Sequence, residues 1–200
     1  MPRKKDPLDW LYNLDIRKAS LLIFCTAFVI RGLLNYIFFE RFGYRAVQYH
    51  EIWFYYGVAK GKFQLMALDP TVPILKAVNI FSGDLLVYGI VFAGIVLSSL
   101  TAVFIFLLVR ELHDNKTGII AGLLYAALSF SASITTAGFT HDIVAVPIIV
   151  MILYLAVLAG KGEGPKRLLL MLLLIAIGAS VNPMVVFGFC GSGLLCHAEG

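Results

Sequence analysis

The sequence has few charged residues, and this scarcity decides its broad class. Only 14% of the 200 residues are charged and 60% are hydrophobic, whereas soluble domains have about a quarter of their residues charged. Several apolar runs approach or exceed the roughly 18 residues that predict membrane-spanning helices. We therefore expect a polytopic membrane protein. Its net charge of +4 then reflects where the basic residues lie relative to the spans, and it does not indicate a nucleic-acid partner.

Cysteines and targeting signals are also scarce. Cys25, Cys190 and Cys196 lie in or near apolar runs, without the C-x-x-C spacing of a metal site. They are expected to be small buried hydrophobic residues, and they imply no disulfide framework. No small-residue cleavage site follows the first apolar run, so that run is interpreted as a retained span and not as a signal peptide.

The apolar runs predict an all-α fold with one transmembrane domain over residues 1–200. The expected spans are about 21–39, 85–109, 118–133, 143–159, 168–179 and 184–196, with a long outer loop at 40–84. The last span is shorter than the roughly 20 residues that a crossing helix needs. Because the polar end "HAEG" follows it, we expect the sequence to be incomplete at its C-terminus.

The basic residues predict the orientation of the spans. They fall before the first span, between the second and third, and between the fourth and fifth: Arg3, Lys4, Lys5, Arg17, Lys18, Arg110, Lys116, Lys161, Lys166 and Arg167. These segments share one side of an alternating topology, and the positive-inside rule assigns that side to the cytoplasm. The N-terminus is then cytoplasmic, in the plasma membrane or the endoplasmic reticulum. Residues 40–84, 134–142 and 180–183 then lie on the outer or lumenal side.

The outer loop contains the aromatic stretch "YHEIWFYYGVAKGKF". Aromatic and apolar residues recur there at spacings near three and four, namely Tyr44, Val47, Ile52, Tyr55, Tyr56 and Ala59. This spacing predicts a juxtamembrane helix with one aromatic face, and the flanking basic residues suit the headgroup layer. A surface anchor without chemistry is the alternative interpretation.

Several ionisable residues fall on the predicted outer face, and such groups at span ends are usually functional or paired. They are His50, Glu51, Asp69, Lys76, His141 and Asp142. Glu51 could act as a general base or could pair with Lys60 or Lys62. Each of the six residues could also simply lie in the hydrated headgroup zone.

Lys76 and Asp142 each have both a functional and a structural interpretation, and Arg31 is a third residue of interest, inside a span. Lys76 follows the two prolines of "DPTVPILKAV", which predict an extended turn. It could hold a phosphate as a point charge or snorkel to the interface. Asp142 opens the fourth span, where the helix dipole alone would favour it. Arg31 lies inside the first span, so we expect it to face other helices and to find a carbonyl or acidic partner.

These features, in this order, resemble those of a known family. Arg31 is followed by the His50-Glu51 pair, then by "DPTVPILKAV", "VRELHDNKTGIIAGLLYAALS" and "TTAGFTHDIVAV". Over about Ser20–Val186 this order resembles the N-terminal half of the GT-C superfamily of membrane glycosyltransferases. It is most similar to polyprenyl-phosphate-sugar-dependent enzymes related to protein O-mannosyltransferases and lipid A aminoarabinose transferases.

The resemblance implies roles for individual residues. In that family an acidic pair, usually Asp-Glu, lies in the juxtamembrane helix and supplies the base. Glu51 matches it, whereas His50 replaces the expected Asp, although a neutral histidine can also act as a base. Lys76 matches the lysine that contacts the lipid phosphate, while the family's preceding histidine is missing. Asp142 matches the acid that opens the fourth span, and Arg31 and His141 are assigned supporting positions.

The implied activity is transfer of a sugar, such as mannose, from a polyprenyl-phosphate donor to a hydroxyl group. The acceptor would be a lipid, a glycan or a protein, and neither a cofactor nor a nucleic acid is expected. An oligosaccharyltransferase-like enzyme would need acids to hold a divalent metal, which His50 argues against. A catalytically inactive or accessory subunit of the same fold is a further alternative. A transporter ranks last, because only Arg31 and Pro147 suggest a site near mid-span.

Overall fold

The computed structural model describes residues 9–42, 50–63, 69–128, 141–161 and 165–181, and this part of the chain is almost entirely helical. The helices are α1 (Asp9–Tyr12), α2 (Ile16–Phe42), α3 (His50–Ala59), α4 (Thr71–Ser82), α5 (Leu86–Leu112), α6 (Asn115–Ala127), α7 (His141–Gly160) and α8 (Pro165–Val181). Three helical stretches are long and apolar enough to cross a membrane: Ile16–Arg41, Thr71–Leu112 and Asp142–Gly160. The predicted all-α, membrane-type fold is confirmed.

Several of the expected spans overlap these helices. The first, second, fourth and fifth expected spans fall on α2, α5, α7 and α8 in turn. The third begins on α6, which ends at Ala127, and its remainder from residue 129 lies outside the described residues. The sixth, 184–196, also lies outside them.

Helix α4 corrects one prediction, because the two prolines of "DPTVPILKAV" begin a helix and do not form an extended turn. Pro70 is the N-cap residue of α4, and Pro73 lies in the first helical turn. Neither position needs an N–H group, since the first N–H groups of a helix have no intrahelical partner. The carboxylate of Asp69 accepts a hydrogen bond from the Thr71 N–H at 2.8 Å. This bond satisfies one of the unpaired donors at the start of α4.

A bend separates α4 from α5. The apolar stretch Thr71–Leu112 has 42 residues, which as one straight helix would be roughly 63 Å long. The hydrocarbon core of a bilayer is only about 30 Å thick. Gly83 has a φ of 52°, a conformation that glycine adopts at little cost, and a 3-10 turn at Gly83–Leu85 leads into α5. The glycine therefore divides the stretch into two helices with different directions.

The first packed core joins α2, α5 and α6. Its fully buried members are small or aliphatic residues and one phenylalanine: Ala19, Ile23, Ala27, Ala102, Phe106, Ile119 and Ala126. Gly118 and Gly122 of α6 bring the helices close, because a side chain at Gly118 would meet the Phe106 backbone oxygen and the Arg110 Cβ at 2.9 Å. Such small residues allow membrane helices to approach closely. We call this packing the three-helix core.

A second cluster joins α3, α4, α5, α7 and α8, and we call it the α3 cluster. Its buried members include Tyr55, Leu75, Leu86, Ile90, Val144 and Ala145. Tyr55 is completely buried. The interpretation of α3 as a surface anchor did not predict this packing, because part of its aromatic face lies inside the protein. The segment between the first two spans contributes to the core of the bundle.

Polar contacts bring the basic segments to one end of the bundle. Glu111, near the end of α5, pairs with Arg110 at 3.0 Å and with Lys161, just after α7, at 3.1 Å. Asn115 at the start of α6 donates to the carbonyl oxygens of Tyr12 and Leu14, at 2.9 and 3.2 Å. The N-terminal segment, the α5–α6 turn and the end of α7 thus meet, as alternating spans require.

Cys25 corrects another prediction, because it is exposed on α2 and not buried. The three-helix core takes up the face of α2 that carries Ala19, Ile23 and Ala27, and Cys25 lies on a different face. In a membrane the surrounding solvent is lipid, so a small apolar residue can face outward without cost. Cys190 and Cys196 lie outside the described residues.

The start of α6 gives a prediction about pH. Asp114 is the N-cap residue, and its side chain accepts a 2.7 Å hydrogen bond from the Thr117 N–H. This bond lowers the pKa of Asp114 below its usual value. A carboxylate with a lowered pKa stabilises the fold above the unfolded-state pKa, and that contribution is lost as the pH falls through the folded-state pKa.

Replacing Asp114 with Ala is therefore expected to lower the melting temperature at pH 7, and to matter less under acidic conditions. Melting of the detergent-purified chain at pH 7 and near pH 3 measures both effects. Asp114→Asn is the matched control, since asparagine caps helices about as well but does not titrate. An equal loss for Asp114→Ala at both pH values would contradict the argument.

Candidate functional site

Helix α3, which carries His50 and Glu51, ends in a defined cap. Gly61 adopts a φ of 74°, its N–H donates to the Val58 carbonyl oxygen at 3.0 Å, and the Lys62 N–H donates to the Gly57 carbonyl oxygen at 2.7 Å. These two bonds form a Schellman motif, which satisfies the last carbonyl groups of a helix. The end of α3 is thus fixed by its own backbone.

An aromatic contact closes the same end of α3. The ring of Phe63 stacks on Phe54, with 5.5 Å between ring centroids and an interplanar angle of 18°. Phe63 occupies the space where a side chain at Gly57 would project. The absence of a Cβ at Gly57 therefore lets Phe63 fold back across the helix. Together with buried Tyr55, this contact holds α3 in one position.

The structure places the backbone of His50 and Glu51 in the first turn of α3, and the side chains of both residues lie outside the described part of the structure. Further along the same helix, Tyr55, Val58 and Ala59 are buried members of the α3 cluster. The candidate base is therefore on a helix that is packed against the rest of the bundle.

Lys76 and Asp142 lie beside the α3 cluster. Lys76 is exposed on α4, directly after completely buried Leu75. Asp142 is exposed in the first turn of α7, close to buried Val144. Leu75 and Val144 both belong to the α3 cluster. The helices of Glu51, Lys76 and Asp142 therefore all contribute to the α3 cluster, and the lysine and the aspartate remain accessible.

Of two other predicted site residues, the structure describes the side chain of Asp69 but not that of His141. His141 is the first residue of α7, and its side chain lies outside the described part. Asp69 is almost fully buried and bonds to the Thr71 N–H, so it supports the start of α4. Within the described ranges, no three His, Cys, Asp or Glu side chains come together as a metal site.

Arg31 lies inside the bundle, next to two members of the three-helix core, Ala27 and Ala126. Its side chain is completely buried and donates to the carbonyl oxygens of Ala27 at 3.3 Å and Ala126 at 3.4 Å. The guanidinium carbon lies 5.6 Å from the centroid of the Tyr125 ring, a favourable cation–π distance. The predicted carbonyl partner is confirmed, and it belongs to another helix.

Fold and site together define a helical membrane protein with an accessible lysine and aspartate beside a packed juxtamembrane helix. The family model of dolichyl-phosphate-mannose-protein mannosyltransferases matches residues 74–191, more than half of the chain. The chain belongs to this family, and it is an integral membrane protein of the GT-C glycosyltransferase type. Lys76, His141 and Asp142 lie inside the match, whereas Arg31, His50 and Glu51 precede it. No curated protein and no solved structure is significantly similar to the chain.

Proposed function

We propose that this protein transfers mannose from a polyprenyl-phosphate donor to a hydroxyl group at the outer or lumenal side of the membrane. The observation that carries the proposal is the family match over residues 74–191, which includes Lys76 and Asp142. Both residues are exposed, and their helices contribute to the same buried cluster as the helix that carries Glu51. A lipid, glycan or protein could provide the hydroxyl group.

The proposed reaction needs a base and a cation. Glu51 takes the proton from the acceptor hydroxyl, whose oxygen attacks the anomeric carbon of the sugar. The bond between that carbon and the phosphate oxygen breaks, and the lipid phosphate leaves with the bonding electrons. Lys76 stabilises the negative charge on the leaving phosphate. Attack opposite the leaving group inverts the configuration at the anomeric carbon.

His50 and Asp142 have secondary roles in this proposal. His50 occupies the position of the first acid in the family's pair, and as a neutral imidazole it can accept a proton. Asp142 orients the acceptor hydroxyl from the start of α7. The reaction uses a donor that is already activated, so no nucleotide is needed at the site.

The proposed orientation has the N-terminus in the cytoplasm. The salt bridge between Glu111 and Lys161 holds two predicted cytoplasmic segments together. The hydrogen bonds from Asn115 to the carbonyl oxygens of Tyr12 and Leu14 join the N-terminal segment to these two as a third cytoplasmic segment. Glu51, Lys76 and Asp142 belong to segments on the other side of the alternating topology. That side faces the lumen or the exterior, in the endoplasmic reticulum or the plasma membrane respectively.

A catalytically inactive accessory subunit is the second candidate function. The observation that favours it is His50, which stands where the family's pair usually has an aspartate. Such a subunit would retain the donor site at Lys76 and lack transfer. Donor binding and sugar transfer must therefore be measured separately.

Binding of dolichyl-phosphate mannose to the detergent-purified chain tests the donor site. Replacing Lys76 with Ala is expected to weaken binding about 10–100-fold, because a hydrogen bond to a charged group contributes about 1.5–3 kcal/mol. Lys166→Ala is the matched control, since Lys166 is exposed on α8 among the segments predicted to be cytoplasmic. Equal affinities for both variants would remove Lys76 from the proposal. Absence of binding by the unmodified chain would overturn the donor assignment.

A further inference from the structure

Helix α6 is too short to cross a membrane. It contains 13 residues, or about 20 Å of helix, against roughly 30 Å of hydrocarbon. Leu128 follows in an extended conformation, with φ −62° and ψ 117°. The last carbonyl groups of a helix have no intrahelical donor, and unsatisfied carbonyl groups in hydrocarbon are costly. The C-terminal end of α6 therefore needs donors from elsewhere in the protein.

Arg31 of α2 supplies one of these donors. Its Nη1 lies 3.4 Å from the carbonyl oxygen of Ala126, the next-to-last residue of α6. The guanidinium also carries a positive charge to the C-terminal end of the helix, where the dipole favours cations. Its position over the Tyr125 ring adds a second contact with the last turn of the same helix.

The surroundings hold the guanidinium at one depth. Ala27 and Ala126, whose carbonyl oxygens accept from Arg31, are completely buried and belong to the three-helix core. Ala27 lies one turn before Arg31 on α2, and the carbonyl oxygen of Arg31 itself accepts a 2.9 Å bond from Asn35. The contact between α2 and α6 is therefore tied to both backbones.

We propose that Arg31 is the C-terminal cap of α6, supplied from a neighbouring helix, and that it acts as a positioning residue. It sets the depth at which α6 ends and from which the chain continues toward His141 and Asp142 at the start of α7. Arg31 in this role touches neither the donor nor the acceptor. Only the kinetic consequence rests on the proposed function, whereas the capping itself is a property of the fold.

Electron paramagnetic resonance of a spin label at position 128 tests the capping directly. The label is attached to Leu128→Cys in a chain whose three native cysteines are replaced by alanine, reconstituted in lipid nanodiscs. Leu128 is exposed, so the label has room. Arg31→Met keeps the length of the side chain and removes every donor. It is expected to increase the mobility of the label and to change its depth, as measured by collision with oxygen and a nickel chelate.

Two controls keep this experiment decisive. A label at Ile120, also exposed on α6, is expected to keep its depth, because it lies two turns away from the cap. Arg31→Lys retains one cationic donor and is expected to restore part of the wild-type signal, and it serves if the methionine variant does not fold. An unchanged label at position 128 in folded Arg31→Met or Arg31→Lys protein would overturn the proposal.

Measuring the affinity for the donor distinguishes a capping role of Arg31 from a role in donor binding. Arg31→Met is expected to leave the affinity for dolichyl-phosphate mannose unchanged, while Lys76→Ala weakens it. If transfer is detectable, Arg31→Met is expected to lower kcat with little change in the donor KM. A loss of donor affinity in Arg31→Met with an unchanged label at position 128 would make Arg31 a donor ligand and would overturn the capping role. The spin-label result remains valid even if the chain transfers no sugar.

Discussion

Replacing Glu51 with Gln is expected to lower sugar transfer by about 10²–10⁴-fold, the usual contribution of a general base. Glutamine has nearly the same shape as glutamate and cannot accept the proton of the acceptor hydroxyl. Donor affinity is expected to stay the same, because the phosphate is assigned to Lys76. The measurement is transfer of radiolabelled mannose from dolichyl-phosphate mannose by membranes that contain each variant.

The chain offers good controls for this experiment. Glu40→Gln removes an exposed carboxylate near the end of α2 and is expected to leave the rate unchanged. His50→Asp rebuilds the acidic pair of the family and is expected to maintain or raise the rate. A full rate in Glu51→Gln would show that the base is another residue. Donor binding without transfer, even after His50→Asp, would favour the accessory-subunit function.

Replacing Gly118 with Val is expected to be the most destabilising change in the three-helix core. A side chain at Gly118 would meet the Phe106 carbonyl oxygen at 2.9 Å and the Arg110 Cα at 3.1 Å. Both are backbone atoms, so a change of rotamer cannot relieve the contact, and overpacking of this kind costs about 1–3 kcal/mol or more. The melting temperature in detergent is expected to fall, and the yield of folded protein is expected to fall with it.

Gly32→Ala is the matched control for that substitution. Gly32 lies in α2 and has no atom within 4 Å of the position of a Cβ. Alanine is favoured over glycine in a helix by about 1 kcal/mol, so this variant is expected to be unchanged or slightly more stable. If both variants melt like the unmodified chain, α5 and α6 are not in the close contact described above.

Hydropathy predicts the long helices α2, α5 and α7, because each is a continuous apolar run. It does not predict the helix at α4, since the two prolines suggest a turn when their position within the first helical turn is unknown. The same limit applies to the aromatic face of α3. A periodic aromatic stripe looks the same whether it faces lipid or other helices, and only the three-dimensional packing shows that Tyr55 is buried.

The sequence likewise predicts some features of the candidate site and not others. The sequence predicts that Lys76 and Asp142 lie on the same face of the membrane. In the structure each lies close in sequence to a buried member of the α3 cluster, Leu75 or Val144. The contact of Arg31 with a carbonyl of another helix was also expected. The position of Arg31 at the C-terminal end of α6 was not expected, because a sequence does not show how deep in the membrane a helix ends. The roles of Glu51, His50, Asp142 and Lys76 stay predictions.

The two packed regions become possible at different times during synthesis. Every residue of the three-helix core lies before Leu128, so α2, α5 and α6 can assemble while α7 is still inside the ribosome. The α3 cluster needs Val144 and Ala145, which emerge later. Until then, the buried faces of α3 and α4 have no partner from α7. Two more members of the α3 cluster, Met171 and Val181, belong to α8. The helices that carry the proposed chemistry therefore complete their packing last, on a framework that can already have formed.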